Sequence, residues 1–263
     1  MLRSFLSEWI RLRRPAMVLG GAGAIIGFAV LTVALILTTA SNTPVDQGPN
    51  QGLTLALIAA ADGLALTVAS AAQFIGVVVL AVFAISIAGE YTQGTLRNLL
   101  VRQPRRVRLL AGKLLALASF TAIAVVAALV AAVVTALVVA PSQDISTAAW
   151  FTGDGWAALG SGLGNLLLAT LGWGLVGALL ALLLRSPAAA VGVGLAYALP
   201  FELLVTGAWD AGARWLPGQL MGTLAAGGAA TVTYERAALL LAIYGVIAVV
   251  AATTLFARRD VAT

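Results

Sequence analysis

Apolar runs long enough to cross a lipid bilayer recur along the chain, and they restrict its fold more than any other feature. A spanning helix needs roughly 20 mainly apolar residues, because each residue rises ~1.5 Å and the hydrocarbon core is ~30 Å thick. Runs of this kind lie at about 16–39, 114–138, 163–184, 188–206 and 237–256. The first exceeds the ~7–15 apolar residues of a signal-peptide core, so it reads as an uncleaved span. Composition agrees: 61% of residues are hydrophobic, 10% are charged, and the mean hydropathy is +1.04. Continuous apolar runs of this length read as an all-α membrane protein, in which each helix satisfies its own backbone groups in lipid.

One further apolar stretch, Leu53 to Ala88, would be ~54 Å long as a single helix. Two spans here would place Arg97, Arg102, Arg105, Arg106, Arg108 and Lys113 on the side that avoids positive charge. One span at about 70–88 is therefore expected, preceded by an interfacial helix from Leu53 to Ala69 broken around Asp62-Gly63. The total is six spans with both termini cytoplasmic. On that plan Arg3, Arg11, Arg13, Arg14, the six bases just named, Arg185, Arg258 and Arg259 face inward. Asp46, Asp62, Asp144, Asp154, Asp210 and Glu235 face outward with only Arg214 and Arg236. The formal net charge of +5 follows from this inner-leaflet bias and needs no nucleic-acid partner.

The chain has neither Cys nor His. Disulfides, thiolate or imidazole metal sites and His-based acid–base chemistry are excluded, so the sequence is not read as that of an enzyme.

The first fifteen residues, MLRSFLSEWIRLRRP, form an amphipathic pattern rather than a span. Leu2, Phe5, Leu6, Trp9 and Leu12 share one face, with Arg3, Ser7, Arg11 and Arg14 opposite. Such a helix lies in the headgroup layer; the plainer reading is a basic flank that sets topology.

The stretch GEYTQGTLRNLLVRQPRR, from Gly89 to Arg106, concentrates polar chemistry between the second and third spans. Leu96, Leu99 and Leu100 fall on one helical face with Arg97 and Arg102 elsewhere. Thr92 or Thr95 is placed to cap the turn, and Pro104 ends it. A short helix of this kind cannot bury its own leucines and needs lipid or a protein to cover them.

With its continuation RVRLLAGKLL, this stretch resembles the motif of ABC-2-type permeases, the membrane subunits of ATP-binding-cassette exporters: Glu, then Gly-Thr-Leu-Arg, two leucines, a proline, an arginine and Gly-Lys. The closing FARRDV is similar to their C-terminal end. The resemblance implies one permease domain over residues 1–263, in the cell membrane. It implies an elbow helix at 1–15, a coupling helix within 90–103 seated in a groove of an ATPase subunit, and an exoplasmic cap from 207–236. Glu90, Thr92, Gly94, Thr95, Leu96, Arg97, Leu99, Leu100, Pro104, Arg106 and Lys113 would carry that coupling. A second permease copy or a paralogue would complete the transporter.

The chain has no phosphate loop of its own: LLAGKLL lacks the upstream glycine and the final Ser or Thr. ATP and Mg would therefore be held by the partner. The residues also have blander readings: Glu90 as a helix-terminal carboxylate met by solvent or Arg97, Gly94 as a turn glycine, and Lys113 as a snorkelling base.

Within the spans, Gln73, Asn165, Trp173, Tyr197 and Glu202 are candidates for a substrate path, although packing between helices explains most such groups. Glu202 fits an outer gate and a snorkelling or ion-paired residue equally. Gly160 with Gly164, and Gly23 with Gly27, have the spacing that lets helices approach closely. Apolar spans without rings of charge favour a hydrophobic or amphipathic cargo, such as a drug, antibiotic or lipid-like molecule. The alternatives are a subunit that transmits a mechanical or sensory signal from an ATPase, and an ATP-independent channel or carrier.

Overall fold

A computed structural model describes residues 2–42, 53–94 and 106–258. Every regular element among them is helical. Helix α1 covers Leu2–Leu12 and α2 Pro15–Thr39. Two short helices follow, α3 (Leu55–Ala59) and α4 (Gly63–Ala69), and then α5 (Ala72–Thr92). Next come α6 (Arg106–Val139), α7 (Gly153–Leu184), α8 (Pro187–Ala208), α9 (Pro217–Ala225) and α10 (Tyr234–Arg258). Six of them, α2, α5, α6, α7, α8 and α10, are long and apolar enough to cross a membrane. The protein is a multi-pass membrane protein.

The break expected at Asp62-Gly63 separates α3 from α4. Thr54 caps α3 by accepting from the Leu57 N–H, and the buried Trp150 indole donates to the Ile58 carbonyl at 2.8 Å, holding α3 against the turn before α7. Three of the spanning helices run past the expected limits. Helix α5 continues to Thr92 instead of stopping at Ala88, α6 starts at Arg106 rather than near Leu114, and α7 begins ten residues early, where Thr152 accepts from the Gly155 N–H. Arg185 closes α7 in the left-handed conformation, with φ 53°. Helix α8 carries a π-helical segment at Tyr197–Phe201 around Pro200, whose missing N–H disrupts the regular ladder. Gln73 of α5 donates to the Ala198 carbonyl in that segment at 2.8 Å.

The centre of the bundle is the seam between α5 and α7. In the apolar window of α5, 67% of residues are buried inside the chain, against 11% for α10, so α10 lies at the periphery. Small residues on one helix meet large ones on the other. A Cβ at Gly76 would overlap the Trp173 indole, one at Gly174 would meet the Phe83 ring, and one at Gly177 would strike the Leu80 carbonyl. This is the close approach that binds helices in lipid, where apolar side chains gain nothing by leaving the solvent. Among the described residues the glycines chosen by spacing play no such part: Gly27, Gly160 and Gly164 face open space, and Gly23 only nears a carbonyl of its own helix.

Helix α1 lies across the start of α6. Ser4, Glu8 and Leu12 are buried and Phe5 and Trp9 partly so, whereas Leu6 and Ile10 are 49% and 69% exposed. The buried Glu8 carboxylate, with its partners, forms the site below.

Candidate functional site

Three helices converge where α5 ends and α6 begins. Glu90 stands in the last turn of α5, Lys113 two turns into α6, and Glu8 and Arg11 one turn apart on α1. Each carboxylate meets both bases. Lys113 Nζ lies 2.6 Å from Glu90 Oε1 and 3.2 Å from Glu8 Oε2, and Arg11 Nη1 lies 2.8 Å from Glu90 Oε1 and 3.5 Å from Glu8 Oε2. Ser86 donates its hydroxyl to Glu8 Oε1 at 2.5 Å. Glu8, Glu90 and Lys113 are 4%, 4% and 6% exposed, while the Arg11 side chain reaches solvent.

Two acids and two bases cancel formally, and this makes the burial tolerable. An isolated charge taken out of water costs several kcal/mol, which pairing and hydrogen bonding must offset. The arrangement is a joint between three helices. No group of His, Cys, Asp and Glu among the described residues could hold a metal ion. A hollow of about 200 Å³ beside the joint is lined by Arg11, Arg14, Ser86, Thr92 and Gln93 together with apolar neighbours.

Residues 54–262 match the family model described as "Protein of unknown function (DUF2705)". The chain belongs to that family. No curated protein matches it. The matched part of this DUF2705 member contains Glu90 and Lys113 and begins after Glu8 and Arg11, so the joint ties α1 to the family region.

Of the coupling residues read from sequence, the structure brings Glu90 and Lys113 into direct contact. Lys113 does not snorkel: its ammonium is enclosed between two carboxylates. Thr92 donates its hydroxyl to the Gly89 carbonyl, and Gly94 follows α5 at φ +65°, a left-handed turn that suits glycine. Thr95, Leu96, Arg97, Leu99, Leu100 and Pro104 lie outside the described residues, as does most of the 90–103 region, and Arg106 opens α6. Arg185, at the end of α7, places its guanidinium 5.8 Å from the Tyr91 ring centroid, adding a fourth element to this end of the bundle.

Glu8 is the residue that sequence reasoning missed. Its signal was present: it is the lone acid of a basic amphipathic segment and stands one helical turn before Arg11.

The candidate path residues divide into two groups. Trp173 and Tyr197 come together with their rings 6.4 Å apart, and Glu202 follows Tyr197 by five residues along α8. Gln73 joins them through the Ala198 carbonyl. Asn165 is elsewhere, accepting from the Tyr234 hydroxyl at 3.0 Å and lashing α7 to the start of α10.

Glu202 neither snorkels nor forms an ion pair among the described residues. It is 1% exposed and accepts from the Gly218 N–H at 2.8 Å and from Gln219 Nε2 at 3.3 Å, which pins α8 to the first turn of α9. Helix N-termini favour such carboxylates because their N–H groups lack intrahelical partners. Gly218 leaves the room required, since a Cβ there would overlap the carboxylate. Glu202→Leu orphans that buried N–H, so thermal unfolding of the purified variant is expected to show a loss of about 1–3 kcal/mol, with Glu202→Gln losing less.

Proposed function

We propose that this protein is the membrane-spanning permease subunit of an ABC exporter, which moves a hydrophobic or amphipathic cargo outward using ATP hydrolysed on a separate ATPase subunit. The observation that carries the reading is the buried Glu8–Arg11–Glu90–Lys113 joint. Residues 95–105, with the GTLRNLL stretch, connect the two helices that this joint clamps. A push from an ATPase on that connection would be passed through Glu90 and Lys113 into two spans and through Glu8 into α1, as one unit.

In this reading α1 is the elbow helix, residues 94–100 are the coupling helix and both termini are cytoplasmic, in the cell membrane. The 207–236 segment, with α9, caps the exoplasmic end. Mg-ATP sits on the partner, and a second permease copy or a paralogue completes the assembly. Alternating access between packings of the spans moves the cargo.

The test is extraction of the tagged chain from its native membrane in mild detergent, followed by identification of what copurifies. A P-loop ATPase in near-equal amount is expected, and scrambling Gly94 to Leu100 should release it while the permease stays monodisperse. An intact, active preparation that carries no ATPase overturns the proposal and favours an ATP-independent channel or carrier. An ATPase that copurifies but drives no cargo into vesicles favours a signalling subunit.

A further inference from the structure

A groove of about 550 Å³ runs between α7, α9 and α10, away from the charged joint. Its walls are apolar: Leu171 and Leu175 from α7, Met221 from α9, and Leu241, Gly245 and Ala248 from α10 are representative. The one side-chain hydroxyl on its lining, that of Tyr244, is committed to the Trp215 carbonyl at 3.1 Å. Nothing lies within 4 Å of where a Cβ would stand on Gly245, so the void opens directly in front of that glycine.

The wall chemistry selects the occupant. From Leu168 to Leu179 the α7 wall is about 16 Å long and apolar throughout, which suits an extended hydrocarbon chain. One end carries headgroup-layer residues. Trp209 and Trp215 are half exposed, and the Arg236 guanidinium stacks 5.3 Å from the Trp215 ring centroid. Arg236 makes no ion pair among the described residues, where the pairs are those of Glu8, Arg11, Glu90 and Lys113.

We infer that this groove is a binding site for an anionic phospholipid, one acyl chain lying along α7 and α10 beneath α9 and the phosphate resting on Arg236. The site is independent of the transport reading, since it requires only a bilayer.

The full-length protein, reconstituted in nanodiscs, is tested with phosphatidylglycerol carrying a photoactivatable diazirine midway along one acyl chain. Labelling is expected on the groove faces of α7 and α10. Gly245→Phe, which fills the void, should remove most of it, while labelling of the exposed α6 face at Val126 and Val130 is retained. Gly245→Leu provides a smaller filler should the aromatic variant lose its monodisperse elution. Arg236→Gln should reduce the preference for phosphatidylglycerol over phosphatidylcholine about fivefold, the worth of one arginine near an anionic headgroup layer. Groove labelling that survives a folded filler variant overturns the site, and an unchanged lipid preference in Arg236→Gln overturns the headgroup assignment. The chain has no native cysteine, so Ala242→Cys reports cleanly on neighbours. Efficient cross-linking between two copies through that cysteine would show a protein interface in place of lipid.

Discussion

Replacing Lys113 by Met is expected to destabilise the protein by about 3–5 kcal/mol, more than any other single change at the charged joint. The ammonium is the buried base shared by Glu8 and Glu90, at 3.2 and 2.6 Å. Without it two enclosed carboxylates face each other with only the partly exposed Arg11 between them. The penalty arises from the unpaired charges left behind, so removing them should restore stability. Lys113→Met combined with Glu8→Gln is expected to recover a large part of the loss, because one acid and one base remain. Arg11→Met should cost less than Lys113→Met, since about a third of its side chain already meets solvent and water can replace part of what it supplies. The measurement is a double-mutant cycle on unfolding midpoints of the purified protein in one detergent. Additive losses for Lys113→Met and Glu8→Gln would mean that the groups act separately and that no joint exists.

How much of this was legible in the sequence follows from the range of the forces involved. Span number depends on local hydrophobicity integrated over some twenty residues, and all six spanning helices lie where the apolar runs placed them. Their ends depend on single polar residues and their partners, and there the sequence reading stopped early. Glu90 and Lys113 look like boundary charges in a hydropathy profile, yet each is carried within a helix because the other, with Glu8, replaces the water it would lose.

Glu8 went unremarked for a related reason. Periodicity ranks faces by apolarity and gives a lone acid no partner, whereas Lys113, on a helix distant in sequence, meets its carboxylate in the buried joint. Small-residue spacing failed differently. Gly160 and Gly164 satisfy the pattern but have nothing opposite them among the described residues, whereas Gly76, Gly174 and Gly177 matter because Trp173, Phe83 and Leu80 face them. Spacing identifies a smooth face; only the fold determines what rests on it.

That seam carries the second large effect. Trp173 is 1% exposed and packs against Gly76, so Trp173→Ala opens a cavity at the centre of the bundle. The expected loss is about 3 kcal/mol, near the lower end for buried aromatics, because in lipid the transfer part of the cost falls away while the lost contacts remain. Gly76→Leu alone should also destabilise, since its Cβ would occupy space held by the indole. Together the two changes should cost less than their sum, because the leucine grows into the volume that the indole vacates. Thermal unfolding of the two single variants and the double variant measures this compensation. Gly160→Ala supplies the control: its Cβ would enter open space, and stability should be unchanged or slightly raised by the better helix former. Strict additivity at Gly76 and Trp173, or an equal loss in Gly160→Ala, would show that α5 and α7 do not meet through this contact.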